Sequence, residues 1–523
     1  MFYSAFLIPL VLIALRRSPP VEAADVVRDL TIQNAQLAPN GVSRSTVTAE
    51  GQFPGPLISG NFGDRFLVRV TDKLTDPTMR RATSIHWHGM FQHHTPESDG
   101  PAFVTQCPIV PDHSFLYNFS VPDQTGTYWY HSHLSTQYCD GLRGPLVIYD
   151  PNDPHAGLYD VDDESTIVLI SDWYNTIAPV LFPNPTNGTP VPDSTVINGK
   201  GRSSAGGDLA VVRAQPGKRH RLRLIAASCF PSFTVSLDGH KMTVIEADGE
   251  ETEPVTVDSL NIFAAQRYSV VVEMDQPVDN YWIRAVPSSP AGSTTDGGIN
   301  SAILRYDGAP DAEPTTNATA NPVVLNEADL HPIKNPGAPG LPFVGGADLA
   351  LQMQISRPDG QFEINGVPFN PPSVPVLLQI LSGTTNANQL LPPGSVYNLP
   401  RNKVVEINFP GGGNHPIHLH GHAFDVIRVS GNSSYNFVNP VRRDVVSIGG
   451  GTDNVTFRFM TDNPGPWFLH CHINWHLEGG LAVVLAEAAE DIPSFDPAGP
   501  DWLGLCPDYA NLNPDTNLTN PVA

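Results

Sequence analysis

Short runs of alternating apolar and polar residues recur along most of the chain. Clear examples are residues 221–225, 233–237, 268–272 and 455–459. Alternation sends successive side chains to opposite faces of a β-strand, so each run predicts a strand with one buried face. Turn-forming pairs such as Asp238-Gly239 separate the runs. The pattern predicts an all-β protein built from sandwiches or barrels.

Two loop-like segments divide this pattern into three parts. Residues 150–154 read Asp-Pro-Asn-Asp-Pro, and residues 307–321 are rich in Pro, Ala and Thr. A chain of 523 residues is too long for a single hydrophobic core. We therefore expect three domains, at residues 24–153, 154–320 and 321–523.

Composition restricts the alternatives. The 52 Pro and 44 Gly argue against a mostly helical protein, because interior proline breaks helices. The 29 basic and 53 acidic residues give a net charge of −24, which argues against nucleic acid and anionic membranes as partners. The composition does not indicate disorder, because 40% of the residues are hydrophobic and only 16% are charged, fewer than the roughly 25% of average soluble proteins.

The N-terminus resembles a secretory signal. Residues 2–15 form an apolar run, shorter than the roughly 20 residues of a spanning helix, and small residues follow at Ala23. We interpret residues 1–23 as a signal peptide and expect a secreted protein. Because Arg16 and Arg17 follow the run and no basic residue precedes it, the cleavage site stays open. Six sequons are candidate glycosylation sites: Asn118, Asn187, Asn317, Asn432, Asn454 and Asn517.

The chain contains an odd number of cysteines, which leaves one thiol unpaired in a secreted protein. They are Cys107, Cys139, Cys229, Cys471 and Cys506. Cys471 lies between His470 and His472, two potential metal ligands, and we interpret it as the unpaired thiol. The other four cysteines allow three pairings, and their spacing does not choose among them.

Eight of the 18 histidines form four His-x-His pairs. The pairs are His86/His88, His131/His133, His418/His420 and His470/His472. Residues i and i+2 of a strand point to the same side, so each pair presents two imidazoles to one site. One such pair is commonly structural or exposed. Four pairs, two near each end of the chain, indicate a metal centre.

Imidazole suits zinc, copper, iron and nickel, and Cys471 discriminates among these metals. Together with His415 and His476 it forms the two-histidine, one-thiolate set of a blue-copper electron-transfer site, whereas tetrahedral zinc needs a fourth strong ligand. If residues 470–472 are extended, Cys471 points away from both neighbouring histidines. The thiolate then holds one copper while those histidines hold others. Linked sites of this kind suit the four-electron reduction of dioxygen.

These motifs resemble the copper signatures of the multicopper oxidases, most closely those of secreted fungal laccases. They read His86-Trp-His88-Gly, His131-Ser-His133, His415-Pro-Ile-His418-Leu-His420-Gly-His and His470-Cys-His472-Ile-Asn-Trp-His476. The resemblance covers essentially the whole chain after residue 23, including Asn198-Gly-Lys-Gly-Arg202 and Phe263-Ala-Ala-Gln-Arg267. It implies three consecutive cupredoxin-like Greek-key β-barrel domains, of which the first and third share a trinuclear copper cluster.

The resemblance also implies four copper ions with specific ligands. The type 1 copper is expected on His415, Cys471 and His476, with Leu481 as an axial residue that is not a ligand. The type 2 copper is expected on His86 and His418. The two type 3 coppers are expected on His88, His131 and His472, and on His133, His420 and His470. The disulfides implied are Cys107–Cys506 and Cys139–Cys229.

Two acids match positions that the family places near the trinuclear cluster, namely Asp99 and Glu478. Oxygen reduction consumes four protons, and positioned carboxyl groups are a natural supply. His422 lies two residues after His420, so it is either structural or supports a copper ligand. The remaining histidines have no partner at ligand spacing and are interpreted as surface or structural: His93, His94, His113, His155, His220, His240 and His331.

The substrate pocket is expected beside His476, with Phe230, Phe182 and Phe362 in its wall. Phe230 departs from the family, which usually has an acidic residue directly after the cysteine matched here by Cys229. An acid there can accept the proton that a phenol loses with its electron. The departure therefore puts proton acceptance in doubt.

The resemblance implies laccase activity, the one-electron oxidation of phenolic or aromatic amine donors coupled to reduction of dioxygen to two waters. The alternative from another functional class is a copper carrier or electron-transfer protein. Such a protein needs only the type 1 ligands, so the complete set of eight trinuclear histidines argues against it. A ferroxidase usually has a C-terminal membrane helix, which the sequence does not predict. An ascorbate oxidase has an axial Met where Leu481 stands. We expect a monomer, and the role stays open between lignin degradation, detoxification of lignin products and pigment formation.

Overall fold

Strands predominate in the computed structural model. It describes residues 23–184, 186–288, 292–451, 453–495 and 499–512. The predicted signal peptide lies almost wholly outside these residues, and so does the sequon at Asn517. All four runs predicted as strands fall within strands, which confirms the all-β prediction. In the described ranges, no helix is both long and apolar enough to cross a membrane.

The first eight strands form two four-stranded sheets. They are β1 (Asp25–Leu37), β2 (Arg44–Ala49), β3 (Ile58–Asn61), β4 (Arg65–Lys73), β5 (Ile85–His88), β6 (Ser114–Ser120), β7 (Gly126–Ser132) and β8 (Arg143–Tyr149). The spatial orders are β2-β1-β4-β6 and β3-β8-β7-β5. Alternate residues of β4, such as Phe66 and Val68, are buried and share one core with Trp87 and Leu146 of the other sheet. The two sheets therefore form one sandwich.

The next eleven strands form a second sandwich. They are β9 (Ile167–Trp173), β10 (Ser194–Ile197), β11 (Val211–Ala214), β12 (Arg219–Ala226), β13 (Phe233–Leu237), β14 (Met242–Ala247), β15 (Glu250–Val257), β16 (Ser259–Ile262), β17 (Arg267–Glu273), β18 (Asn280–Pro287) and β19 (Ser301–Tyr306). The spatial orders are β10-β9-β12-β17-β14-β15 and β11-β19-β18-β13-β16. Leu224 and Val270 of one sheet pack in the same core as Val235 and Leu260 of the other.

The remaining strands form a third sandwich and a small hairpin. They are β20 (Leu349–Gln352), β21 (Ile355–Ser356), β22 (Glu363–Ile364), β23 (Val396–Leu399), β24 (Val404–Phe409), β25 (Pro416–Leu419), β26 (Phe424–Arg428), β27 (Val441–Arg443), β28 (Val445–Ser447), β29 (Val455–Met460), β30 (Gly465–Cys471) and β31 (Ala482–Glu487). The spatial orders are β20-β24-β29-β26-β27 and β23-β31-β30-β25-β28, and β21 pairs with β22. The three groups of strands lie within the three predicted domain ranges, whose exact boundaries stay predictions.

A few helices accompany the strands, and the last of them contacts the first sandwich. The helices of the described ranges are α1 (Ala178–Leu181), α2 (Val376–Leu381), α3 (Asn474–Glu478), α4 (Ile492–Phe495) and α5 (Pro500–Asn511). Helix α5 is tied to the first sandwich by the disulfide Cys107–Cys506, and the indole of Trp502 donates to the carbonyl of Thr105 at 3.0 Å. These contacts hold the first and third sandwiches side by side, which is where the histidine motifs meet.

Candidate metal centre

Two antiparallel strand pairs, one from the first sandwich and one from the third, bring the four His-x-His pairs together. His86 of β5 lies opposite His131 of β7, and His418 of β25 lies opposite His470 of β30. Rings from the two sandwiches are in contact, since the centroids of His88 and His418 are 3.9 Å apart. The site therefore lies between the first and third domains, and neither domain forms it alone.

The ligand atoms converge in four principal sets, and the atoms of each set lie within 4.8 Å of one another. The sets are His86, His88 and His418; His88, His131 and His472; His133, His420 and His470; and His415, Cys471 and His476. The first contains the pair expected for type 2 copper, and the other three coincide with the expected type 3 and type 1 sets. Which copper each set holds stays a prediction.

Strand β30 separates the Cys471 set from the eight-histidine cluster. His470 and His472 belong to the cluster, whereas the Sγ of Cys471 lies 3.5 Å from Nδ1 of His415 and 3.7 Å from Nδ1 of His476. This is the alternation expected of an extended segment. Burial raises the pKa of the Cys471 thiol well above its ordinary value, so a bound cation is needed to stabilise the thiolate.

The orientation of the imidazoles tests whether the cluster fits a metal ion. Four Nδ1–H groups donate to backbone carbonyls: His86 to Asp99, His131 to Ser132, His418 to Asp444 and His470 to Cys471, at 2.8–3.0 Å. Each hydrogen bond places the proton on Nδ1 and so leaves the lone pair of Nε2 free to bind a metal ion. Among the described residues, the buried Nε2 atoms of His86, His131 and His418 have no hydrogen-bond partner. Such unpartnered nitrogens are costly unless a metal binds, so the cluster fits a metal ion that imidazole ligates, and copper is one of these.

Electrostatics keeps the cluster in the form that binds metals. Burial, reinforced by repulsion from neighbouring imidazoles, lowers the pKa well below its ordinary value for His88, His131, His133, His418, His420 and His472. Burial lowers the pKa of His470 to about 3. Burial, and then the positive charge of Arg357, lowers the pKa of His415 to about 4. These imidazoles are therefore neutral near pH 7, as metal ligands must be.

Comparison with known proteins identifies the family. Family models described as multicopper oxidase match residues 31–153, 164–309 and 369–491. The laccase of Phlebia radiata is 57% identical over 496 residues, which cover 93% of this chain and 94% of that protein. The chain belongs to the multicopper oxidases. Another relative in this family, laccase-1 of Trametes villosa, is 57% identical over 497 residues, covering 93% of this chain and 95% of its own length.

Solved multicopper oxidase structures share the architecture. The laccase of Botrytis aclada has a TM-score of 0.83 at 31% identity, covering 94% of this chain and 93% of its own. Fet3p, a multicopper oxidase that functions in iron import, has a TM-score of 0.81 at 30% identity, covering 95% and 98%. These similarities confirm the predicted series of three cupredoxin-like domains. Laccases of this family carry four coppers, and the four sets are the residues that would hold them.

Two predicted acids of this multicopper oxidase border the cluster. Asp99 is fully buried, its Oδ2 lies 2.9 Å from Nδ1 of His420, and burial raises its pKa. Glu478 accepts a hydrogen bond from the Ser135 hydroxyl at 2.9 Å, and burial raises its pKa to about 8. Glu478 and His133 line the same small cleft. Their part in supplying protons stays a prediction.

Asp444 is a third acid at the cluster, and no pattern in the sequence singles it out. Its Oδ1 lies 3.4 Å from Nε2 of His88, and its backbone carbonyl accepts from His418. Both carboxylate oxygens accept from the guanidinium of Arg267, at 2.6 and 2.7 Å. Arg267 lies in β17, so Asp444 links the second domain to the cluster. The only local signal is the pair of arginines that precedes Asp444.

The edge of His476 that faces away from Cys471 is bordered by Phe362 and Thr189. The rings of Phe362 and His476 have centroids 4.6 Å apart. The Thr189 hydroxyl lies 3.0 Å from Nε2 of His476. His476 is only partly buried, so this edge is where a donor is expected to transfer its electron to the protein. The sequence marks Thr189 only as the last residue of the sequon at Asn187.

The other two predicted pocket residues lie beside α3, the helix that carries His476. The ring of Phe182 is 5.6 Å from that of Trp475. Phe230 is half-buried and follows Cys229, whose carbonyl accepts from the backbone N–H of Asn474 at 2.9 Å. Their position is compatible with a wall of the donor pocket, and their contact with a donor stays a prediction.

The remaining histidines have other partners. Nε2 of His422 lies 2.7 Å from the Glu487 carboxylate, and His240 contacts the Tyr306 hydroxyl at 2.7 Å. Among the described residues, neither they nor the other histidines interpreted as surface or structural belong to a ligand set. The structure contains the disulfides Cys107–Cys506 and Cys139–Cys229, and Cys471 is the free cysteine.

Proposed function

We propose that the protein is a laccase, which oxidises phenolic or aromatic amine donors by one electron each and reduces dioxygen to two waters. The observation that carries the proposal is the junction at Cys471, where one strand serves two kinds of metal site. An electron carrier needs only the thiolate site, whereas this chain also brings eight histidines together beside it. Laccases at 57% identity over most of the chain support the same activity.

We assign the ligands as the motifs predict. The type 1 copper would be held by His415, Cys471 and His476, with Leu481 beside the site as a residue that is not a ligand. The type 2 copper is held by His86 and His418. The type 3 coppers are held by His88, His131 and His472, and by His133, His420 and His470. Bound copper supplies one-electron redox chemistry, and four coppers match the four electrons that dioxygen accepts.

The chain's own residues position the reaction. His476 presents a partly buried imidazole edge to the donor, beside the ring of Phe362. Cys471 shares peptide bonds with His470 and His472, so the covalent path between the two kinds of site is short. Glu478, with a pKa raised to about 8, holds a proton near pH 7 and borders the cleft next to the cluster. Asp99 orients His420 by accepting from its Nδ1–H.

We further propose that the protein is secreted, that residues 1–23 are removed, and that it acts as a monomer. The domain boundaries at residues 153 and 320, and the sequons as glycosylation sites, belong to the same proposal. The apolar N-terminal run and the six sequons support it. Mass spectrometry of the protein from culture medium, before and after enzymatic deglycosylation, tests the mature N-terminus and the glycan mass together.

Oxygen uptake by the copper-loaded protein tests the proposed activity. The donors are a phenol, an aromatic amine, ferrous iron and ascorbate, each at equal concentration. A laccase consumes one dioxygen per four phenol molecules oxidised and releases no hydrogen peroxide. Absence of oxygen uptake with every donor would indicate an electron carrier. Faster turnover of ferrous iron than of phenol would indicate a ferroxidase.

A further inference from the structure

An exposed arginine lies at the mouth of the donor site. Arg357 stands between strand β21 and a turn at Pro358–Gly360. Its guanidinium carbon lies 4.6 Å from the centroid of the Phe362 ring, and that ring is itself 4.6 Å from the ring of His476. One aromatic ring therefore separates a positive charge from the imidazole edge where the donor is expected to give up its electron.

The groups that hold the guanidinium are neutral. Nε donates to the carbonyl of Gly360 at 3.0 Å, and Nη2 donates to the carbonyl of Asn187 at 3.2 Å. Among the described residues, no carboxylate pairs with Arg357, whereas Arg202 and Arg219 each pair with one. Two carbonyl acceptors fix the plane of the guanidinium and leave N–H donors available to a ligand.

Asp172, Asp359 and Glu363 form no ion pair with Arg357. Phe230 stands where the family resemblance implies a carboxylate. Asp172 is buried and accepts from the backbone N–H groups of Cys229 and Phe230, at 2.9 and 3.1 Å, with Arg143 3.7 Å away. Of the two acids in the hairpin of Arg357, Glu363 accepts from the Ser356 hydroxyl at 3.2 Å, and Asp359 makes no ion pair with Arg357. Neither acid of the hairpin contacts the guanidinium, so Arg357 presents its positive charge directly beside the ring of Phe362.

We propose that Arg357 forms an anion subsite of the donor pocket, and that the preferred donors are aromatic molecules that carry a carboxylate or sulfonate. The inference rests on the proposed laccase function. A donor ring that packs beside Phe362 with its reactive edge at His476 places an anionic substituent within reach of Arg357. A carboxylate accepts two parallel N–H bonds from a guanidinium, which gives the subsite orientation as well as charge. The net charge of −24 otherwise repels anions, so the subsite offsets that repulsion locally.

The test compares two donors that share one phenol, syringate and methyl syringate. Arg357→Gln should lower kcat/KM for syringate by about three- to tenfold through KM and leave the methyl ester nearly unchanged. Arg357→Lys keeps the charge and should retain part of the preference. Arg213→Gln, which removes an exposed arginine from β11 in the second domain, is the matched control and should change neither donor. In the parent protein, raising the ionic strength should weaken the preference for syringate in the same way as Arg357→Gln does.

A binding measurement separates this inference from the proposed function. Trimethoxybenzoate and its methyl ester lack the phenol, so ligand-observed NMR reports their binding without turnover. The parent protein should bind the carboxylate more tightly than the ester, and Arg357→Gln should abolish that difference. If the preference is present but neither syringyl donor drives oxygen uptake, the proposed function is wrong and the subsite stands. If Arg357→Gln changes both members of each pair equally, or neither, the subsite is wrong.

Discussion

The Thr189 hydroxyl lies 3.0 Å from Nε2 of His476, on the side of the ring opposite Cys471. Nδ1 of the same ring faces the sulfur of Cys471 at 3.7 Å. Nε2 therefore carries the proton and donates to Thr189 Oγ1, which leaves the Nδ1 lone pair for a metal ion. A residue 287 positions earlier in the chain thus selects the tautomer of a metal ligand.

Thr189→Val should raise the type 1 reduction potential by at most about 40 mV, the value that corresponds to the whole net energy of one hydrogen bond in a one-electron couple. The lost hydrogen bond, worth about 1 kcal/mol, stabilises the oxidised site more than the reduced one. Redox titration of the blue absorption measures the change. Thr189→Ser keeps the hydroxyl and should leave the potential unchanged. Asn187→Gln removes the sequon and keeps the hydroxyl, so an equal shift in that variant would assign the effect to a glycan.

Cys471→Ser should abolish the blue colour and the oxidation of phenols together. The colour arises from charge transfer between the thiolate and copper, and a serine hydroxyl does not supply it. Copper analysis should find about three of the four ions retained, because the eight-histidine cluster is intact. A Cys471→Ser protein that remained blue would contradict the assignment of the mononuclear ligands.

Leu481→Met should lower the type 1 potential while the blue site still assembles. A thioether donates electron density and favours the oxidised ion, whereas the buried leucine donates none and excludes water. The backbone carbonyl of Leu481 accepts from the N–H of Cys471 at 3.1 Å, which holds residue 481 next to the site in either variant. Redox titration that shows no change or a rise would exclude Leu481 as the axial residue.

Phe230→Asp should improve the oxidation of simple phenols and leave donors that release no proton almost unaffected. A positioned base is typically worth 10²–10⁴-fold where a proton must be removed, so the gain should appear at pH values where the new carboxylate is ionised. Steady-state rates for both donor classes across pH provide the measurement. Equal effects on both classes would mean that residue 230 does not act through the proton.

Asp72→Asn should make stability less dependent on pH. Burial raises the pKa of Asp72 to about 8, whereas the unfolded chain ionises this group near pH 4. Between these values the folded state binds more protons, so the free energy of unfolding falls as pH rises. The variant lacks this charge. The difference in the free energy of unfolding, variant minus parent, should therefore be roughly 2–4 kcal/mol larger at pH 8 than at pH 5.

Urea unfolding at the two pH values measures this difference. The comparison is matched, because the side-chain amide introduced by Asp72→Asn retains an oxygen acceptor for the backbone N–H of Leu74. In the parent protein that N–H lies 2.8 Å from Oδ1 of Asp72. A stability difference that is the same at both pH values would contradict a raised pKa at this position.

The spacing of residues along the sequence determined which of the neighbouring ligands serve the same metal site. His470 and His472 serve one site and Cys471 another, because side chains of a strand alternate between its faces over two residues. The same period predicted strands β12, β13, β17 and β29. The ligand sets and the two disulfides followed from motif resemblance, which matches residues by position.

Only the tertiary structure decided what surrounds those ligands. Asp444, Thr189 and Arg357 carry no periodic signal, and each reaches the sites through contacts with residues far away in the chain. Asp444 meets Arg267 across 177 positions, and Arg357 meets Asn187 across 170. Such pairs depend on how the three domains pack and on where loops cross, whereas a local pattern records only the strand or helix to which a residue belongs.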